Sequence, residues 1–380
     1  MVTSYNCPYA CLRRWDIVTG MKFGLQRYTI DAFFRKVVEE FGDELAVGSL
    51  DTPPISYREM GRVVESIQQQ LLRHGVGKAS RVAIVGISTP NWAMAYLAVM
   101  ALGAVAMPIM EDFPPGDIRH LMEFGEADAA VLSQQIIDTL GEYDFSRFRV
   151  LVRMDDLEIV SGSGAAPALR EEVREDDLAE ILFTSGTMGF SKGVMLTHRN
   201  LVSNIFEGPD ILQCIDRDSV ALNILPMAHA FGSTSAFLSI IYCGSELYFL
   251  GRKPTVGALM QAFGRIRPTI LGGVPLIFEK IYSKKVAPLI AGKPLFRALA
   301  RFGWSRRVLF RIIGRKFNAA FGGRLECAII GGAPLSEEVE SFLRVARIPF
   351  AIGYGMTEAA PLITFQSREA SRRGSVGKAI

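Results

Sequence analysis

The sequence predicts an α/β protein of two doubly wound, mostly parallel sheets packed together. Three observations carry that prediction. Short β-branched runs recur with helical patterns between them, and apolar strands spaced by helices mean parallel sheets covered on both faces. The chain has 380 residues, 49% of them hydrophobic, enough to bury large cores in two or three domains. A polar, small-residue stretch from Ser161 to Asp177, SGSGAAPALREEVREDD, reads as a linker dividing the strands into an earlier and a later set.

In chain order, the first twenty residues lack the apolar core of a signal peptide and read as an extension ahead of Met21. The earlier strands are RVAIVG from Arg81, AAVLS from Ala129 and FRVLVRM from Phe148. Ala93 to Met110 runs eighteen residues without a charge, which raises the question of a membrane span. Alanine dominates it, Gly103 and Pro108 interrupt it, and Glu111 and Asp112 follow at once, so it reads as a buried helix, a glycine stop and a short buried strand. The later strands are LAEILFTS from Leu178, ALNILPM from Ala221, ELYFLG from Glu246, PTILGG from Pro268, LECAIIGG from Leu325 and IPFAIGYG from Ile348. The organisation expected is therefore an extension over 1–20, a first subdomain over 21–177 whose N-terminal helices are free to pack on the second, and a second subdomain over 178–365.

Charge and cysteine usage narrow the setting. The formal net charge is +3, yet Lys280 to Leu325 holds twelve Lys or Arg and no Asp or Glu; taking those away leaves the rest of the chain at −9. Within Leu295 to Phe317, arginines at 297, 301, 307, 311 and 315 recur mostly at four-residue spacing with Phe, Leu, Ile and Trp304 between them. That is the pattern of a basic amphipathic helix pair broken near Gly303, and it predicts contact with a membrane surface through 280–325. No nucleic-acid partner is expected. Cys7, Cys11, Cys214, Cys243 and Cys327 are odd in number and scattered, giving neither a disulfide framework nor a zinc site. A reducing cytoplasm follows, with peripheral attachment to the inner membrane face. Cys7 and Cys11 have no further Cys or His nearby and read as an idle pair, and four histidines leave metal catalysis few ligands.

The chemistry concentrates in polar turns at strand ends, where open α/β sheets bind their ligands. In ILFTSGTMGFSKGVMLTH, Ile181 to His198, glycines let backbone N–H groups approach a ligand, Ser and Thr add hydroxyls, and Lys192 adds a point charge. The stretch suits a phosphate chain but is not an NTPase P-loop, because Ser191 precedes the lysine and Gly193 follows it. GYGMTE, Gly353 to Glu358, offers a carboxylate for Mg²⁺, a hydroxyl for a phosphoryl oxygen and an aromatic face for a base. GGAP, Gly331 to Pro334, is a third such turn.

Taken together, TSGTMGFSKGV (Thr184 to Val194), LPMAHAFG (Leu225 to Gly232), GGAPL (Gly331 to Leu335) and GYGMTE occur in the order found in adenylate-forming, AMP-binding enzymes, and resemble their acyl-CoA synthetase branch. GGVPLIFEKIY, Gly272 to Tyr282, is similar to the long-chain fatty acid members. The resemblance runs from about Tyr28 to Ile380. Met188 and Ser191 depart from a usual Thr and Pro but leave the lysine and the glycines in place.

The resemblance implies a fatty acid and ATP as substrates, Mg²⁺, and coenzyme A as second substrate: acyl-adenylate and pyrophosphate form first, then acyl-CoA and AMP. It implies that Thr184, Ser185, Gly186, Thr187, Gly189 and Lys192 hold the β and γ phosphates, that Thr357 meets the α phosphate, and that Glu358 with Thr187 holds Mg²⁺. Tyr354 and Gly355 would meet adenine beside Gly332, Ala333 and Pro334. His229 would sit between the carboxylate and the thioester channel, and Gly331, Gly272, Gly273, Val274 and Phe278 would line the acyl tunnel. Lys192, His229, Thr357 and Glu358 form the implied catalytic set, while His198 in LTHRN reads as structural. The resemblance also implies that 366–380 begins a small β-barrel, cut short before a ribose-binding aspartate in a Tyr-x-Thr-Gly-Asp pattern and before a C-terminal lid domain bearing a catalytic lysine. The expectation is an incomplete N-terminal domain with little activity alone. Alternatives are transfer of the acyl group to a carrier protein and a non-catalytic nucleotide- or lipid-binding fragment; a phosphotransferase finds no catalytic aspartate motif beside the loop.

Overall fold

A computed structural model describes residues 24–185, 191–212, 214–292, 294–301, 303–366 and 372–380; the expected extension and the Cys7–Cys11 pair lie outside them. The strands in chain order are β1 (Leu45–Ser49), β2 (Ile55–Ser56), β3 (Arg81–Val85), β4 (Val105–Ile109), β5 (Ala129–Leu132), β6 (Val150–Arg153), β7 (Ile159–Gly162) and β8 (Leu178–Ser185). They continue as β9 (Ser191–Thr197), β10 (Val220–Asn223), β11 (Glu246–Phe249), β12 (Ile270–Gly273), β13 (Cys327–Ile330), β14 (Phe350–Gly355), β15 (Leu362–Gln366) and β16 (Lys378–Ala379).

Two sheets result. The seven-stranded sheet has the order β7-β6-β5-β3-β4-β8-β9, parallel except for its edge pairs β6–β7 and β8–β9. The nine-stranded sheet has the order β16-β15-β14-β13-β12-β10-β11-β1-β2, parallel from β14 to β1 and antiparallel at both ends. Every strand run read from the sequence overlaps one of these strands.

Between the sheets lies the helix Pro90–Ala101. Thr89 caps it, its hydroxyl accepting from the Trp92 amide at 3.2 Å, and Pro90 sits where a missing N–H costs nothing. Each residue from Trp92 to Ala101 is buried. A helix apolar on every side must be covered on every side. One core cluster accordingly joins this helix to Val82, Ala106 and Ala129 of the smaller sheet and to Val47, Ala221 and Leu247 of the larger. The outer faces of the two sheets hold separate cores: Phe263, Phe278, Phe317 and Phe342 over the larger, Ile118, Leu121 and Leu140 over the smaller. Among the described residues no helix is long and apolar enough to cross a membrane.

Sheet membership departs from the linear division at Asp177. β8 and β9, assigned from sequence to the second subdomain, complete the seven-stranded sheet, because β4 leaves an open edge on which β8 pairs at Ala106 opposite Glu180. β1, from the first subdomain, pairs in parallel with β11 of the larger sheet. At the C-terminal end, β15 and β16 add antiparallel to β14 and extend the larger sheet; among the described residues no barrel closes.

Candidate functional site

The carboxyl ends of β13 and β14 open into a cavity of about 180 Å³. Gly331 and Gly332 after β13, Tyr354 to Thr357 at the end of β14, and His229 and Phe231 line it, with Asn204 and Pro209 of the helix His198–Leu212 opposite. Polar turns far apart in the chain thus meet because adjacent parallel strands deliver their loops to one edge.

Two close approaches shape its walls. A Cβ on Gly232 would lie 2.0 Å from the Pro226 carbonyl oxygen, so only glycine lets the LPMAHAFG segment fold back on itself. Gly232 N donates to the His229 carbonyl at 2.7 Å, and Phe231–Leu238 continues as a π-helix, a form that recurs at functional sites. A Cβ on Gly355 would meet the Pro361 carbonyl oxygen at 2.2 Å, where the Met356 amide already donates at 2.9 Å. The smaller sheet also reaches this place: the Ser88 hydroxyl, just past β3, accepts from the Met227 amide at 2.9 Å.

His229 presents its ring to the cavity. Nδ1 accepts from the Phe231 amide at 3.2 Å, and desolvation by the surrounding walls holds its pKa below the ordinary histidine value. The imidazole is therefore neutral near pH 7 with its proton on Nε2, an N–H donor. Tyr354 is half exposed at the rim, its ring free to accept a planar partner. Thr357 follows it in a short 3₁₀ turn with Glu358, which is exposed.

The β8–β9 hairpin brings the phosphate motif alongside. Thr184 stands opposite Lys192 and Phe183 opposite Gly193, and β9 packs against the Thr357–Ala359 turn. Lys192 is exposed near the start of β9. Gly186, Thr187 and Gly189, and the Ser185 side chain, lie outside the described residues.

The remaining sequence candidates are near but apart. Ala333 and Pro334 are exposed just beyond Gly332 and do not line the cavity. Gly272, Gly273 and Val274 end the neighbouring strand β12, Val274 reaching the space over Gly332. Phe278 is buried on the helix Pro275–Ile281 and stacks on Phe321 with ring centres 5.8 Å apart. His198 is buried, its Nδ1 accepting from the Ile30 amide at 3.2 Å; desolvation pushes its pKa down to about 4.

The motifs did not flag two further residues, Asn204 beside the cavity and the buried Glu180. Asn204 Nδ2 donates to the carbonyls of Ala359 and Leu362 at 3.3 and 3.0 Å, and its Oδ1 accepts from the Leu362 amide at 3.1 Å. One side chain thus pins the turn that carries Thr357 and Glu358. Glu180, fully buried in β8, accepts from the Tyr96 hydroxyl at 2.9 Å, and burial pushes its carboxyl up to about 8, so it is protonated at neutral pH. An acid amid the apolar run LAEILF was its visible signal; Asn204 had none.

Comparison with known proteins fits this geometry. The chain is 27% identical over 368 residues to Long chain acyl-CoA synthetase 3 of Arabidopsis thaliana, covering 85% of this chain and 54% of that protein. It is 26% identical over 368 residues to Long-chain-fatty-acid--CoA ligase 6 of Mus musculus, covering 85% of this chain and 52% of that one. The chain thus spans about half the length of these relatives. Among solved structures, the N-terminal domain of FACL13 from Mycobacterium tuberculosis superposes with a TM-score of 0.73 at 20% identity, over 92% of this chain and 82% of that one, a likeness of fold. The model of the AMP-binding enzyme family matches residues 34–380, and the chain belongs to that family.

Proposed function

We propose that this chain carries the nucleotide and acyl sites of an enzyme that activates a long-chain fatty acid with ATP. The observation that carries the reading is the convergence of the His229, Gly331–Gly332 and Tyr354–Thr357 turns on one cavity, with the Thr184–Lys192 hairpin packed beside it. A carboxylate oxygen of the acid attacks the α-phosphorus of ATP, the bond to the β-phosphate oxygen breaks, and pyrophosphate leaves. The thiolate of coenzyme A then attacks the acyl carbonyl carbon, and AMP departs with the bridging oxygen.

An anion must approach a polyanion, so the residues are asked chiefly for charge neutralisation and orientation. Lys192 supplies a cation at the hairpin, and Tyr354 a face for the base. The neutral Nε2–H of His229 donates to the carboxylate without adding a charge that would trap it. Among the described residues no three His, Cys, Asp or Glu cluster as a metal centre. A lone exposed carboxylate, Glu358, fits a magnesium ion that takes its other ligands from phosphates and water, and that ion would supply further charge neutralisation.

The test is ATP–pyrophosphate exchange over a series of acids on the longest available form of the protein. Each buried methylene contributes about 0.8 kcal/mol, so four more carbons in an acyl site strengthen binding by roughly 3 kcal/mol. A preference for acetate or benzoate would overturn the acyl assignment. Release of ADP in place of pyrophosphate would overturn the reaction class, and thioester formation that ignores coenzyme A would move the acceptor to a carrier protein.

A further inference from the structure

The helix Gly303–Ala320 packs one side on the core and leaves the other bare. Ser305, Leu309, Phe310, Ile313, Gly314 and Phe317 are buried, and Gly314 lies so close to Ala346 of the next helix that a Cβ there would sit 2.8 Å from the Ala346 methyl. The helix is locked, so its outer face is fixed. That face carries two parallel rows at four-residue spacing. Trp304, Val308 and Ile312 form an apolar row, 77%, 49% and 54% exposed, that ends at Lys316, and Arg307, Arg311 and Arg315 form a basic row beside it. Leu295, 65% exposed, and Arg297 continue the mixture on the helix Pro294–Arg301.

Two things make this face unlike the rest of the surface. Several exposed arginines elsewhere hold acids, as in Arg58–Asp43, Arg147–Glu123 and Arg199–Asp176. Arg307, Arg311, Arg315 and Lys316 make no ion pair or hydrogen bond with any described residue, and no acid lies between residues 280 and 325 to answer them. A protein partner's surface mixes both signs; a row of unanswered arginines flanked by exposed Trp, Val and Ile matches a surface that is uniformly anionic outside and apolar beneath.

We propose that the outer face of Gly303–Ala320, with Leu295 and Arg297, docks on an anionic lipid bilayer. The arginines meet the headgroups and the Trp304 row enters the acyl boundary. Docking by this face does not depend on the reaction proposed above, and its test uses neither nucleotide nor fatty acid.

The experiment is co-sedimentation of the full chain with phosphatidylcholine vesicles, plain or containing about 30% phosphatidylglycerol, at low salt and at about 0.5 M salt, with tryptophan fluorescence read in parallel. Binding to the anionic vesicles only, weakened by salt, is expected, with a blue shift that the variant Trp304→Phe abolishes. The triple variant R307E/R311E/R315E is expected to bind about a hundredfold more weakly. Because those side chains are exposed and make no ion pair or hydrogen bond with any described residue, the variant keeps its fold, which circular dichroism verifies. No binding to anionic vesicles, or binding indifferent to the triple variant, overturns the proposal. So does retention of a soluble polyanion such as heparin equal to that of vesicles with no Trp304 shift. Self-association through these residues without lipid would assign the face to a second copy and overturn it as well.

Discussion

Two helices rich in apolar residues show how charge placement sorts a chain. Pro90–Ala101 has no charge, is buried from Trp92 to Ala101 and fills the space between two sheets. Gly303–Ala320 is less apolar, and its arginines recur on one side, so one face is core and the other solvent. The first helix holds the molecule together; the second holds nothing on its outer side. Substitutions should therefore have opposite consequences in the two places.

The largest effect is expected from Ala98→Asp. Ala98 is fully buried between the sheets, and a carboxylate there has no solvent. A loss of about 4 kcal/mol or more is expected, read as a collapse of the denaturant midpoint or as failure to fold. Native-like stability would mean the two sheets separate readily.

A pH effect of intermediate size comes from two buried groups, Glu180 and His198. Glu180 is pushed up to about 8 when folded and sits near 4.5 when unfolded, so the folded state binds the extra proton between those values and stability falls as pH rises through them. His198, pushed down to about 4 from 6.5, acts in the opposite sense: its contribution is present above 6.5 and lost as pH falls toward 4. The two oppose each other below pH 6.5. Between about 6.5 and 8 Glu180 acts alone, and stability should drop by about 2 kcal/mol. Glu180→Gln keeps an acceptor for Tyr96 and should flatten that drop in urea titrations at several pH values. An unchanged slope would show that Glu180 ionises freely.

The smallest effect sharpens the contrast. R307E/R311E/R315E reverses three charges on the outer helix face and should shift stability by less than about 1 kcal/mol, since exposed unpaired charges contribute little. A large loss in thermal unfolding would mean that the face packs on something within this chain.

How much was legible depended on the range over which each cause acts. Strands announced themselves as β-branched runs, the buried helix by its missing charges, the basic helix pair by four-residue spacing, and the ligand turns by Gly, Ser and Thr after a strand. Each is a property of near neighbours, so the sequence by itself determined them. It also determined the order of the motifs, which set the family expectation that the comparisons met. Other features rested on partners far away in the chain. β8 joined the smaller sheet because β4 left an open edge, and β15 and β16 extended the larger sheet because β14 left another. Phe278 is buried against Phe321, more than forty residues on, which offers it a stacking face. Asn204 became a positioning residue through carbonyls 155 and 158 residues away. Periodicity tells which face of an element is apolar, but only the folded packing decides which edge or cavity that face meets, because pairing and burial energies depend on groups the local sequence does not contain.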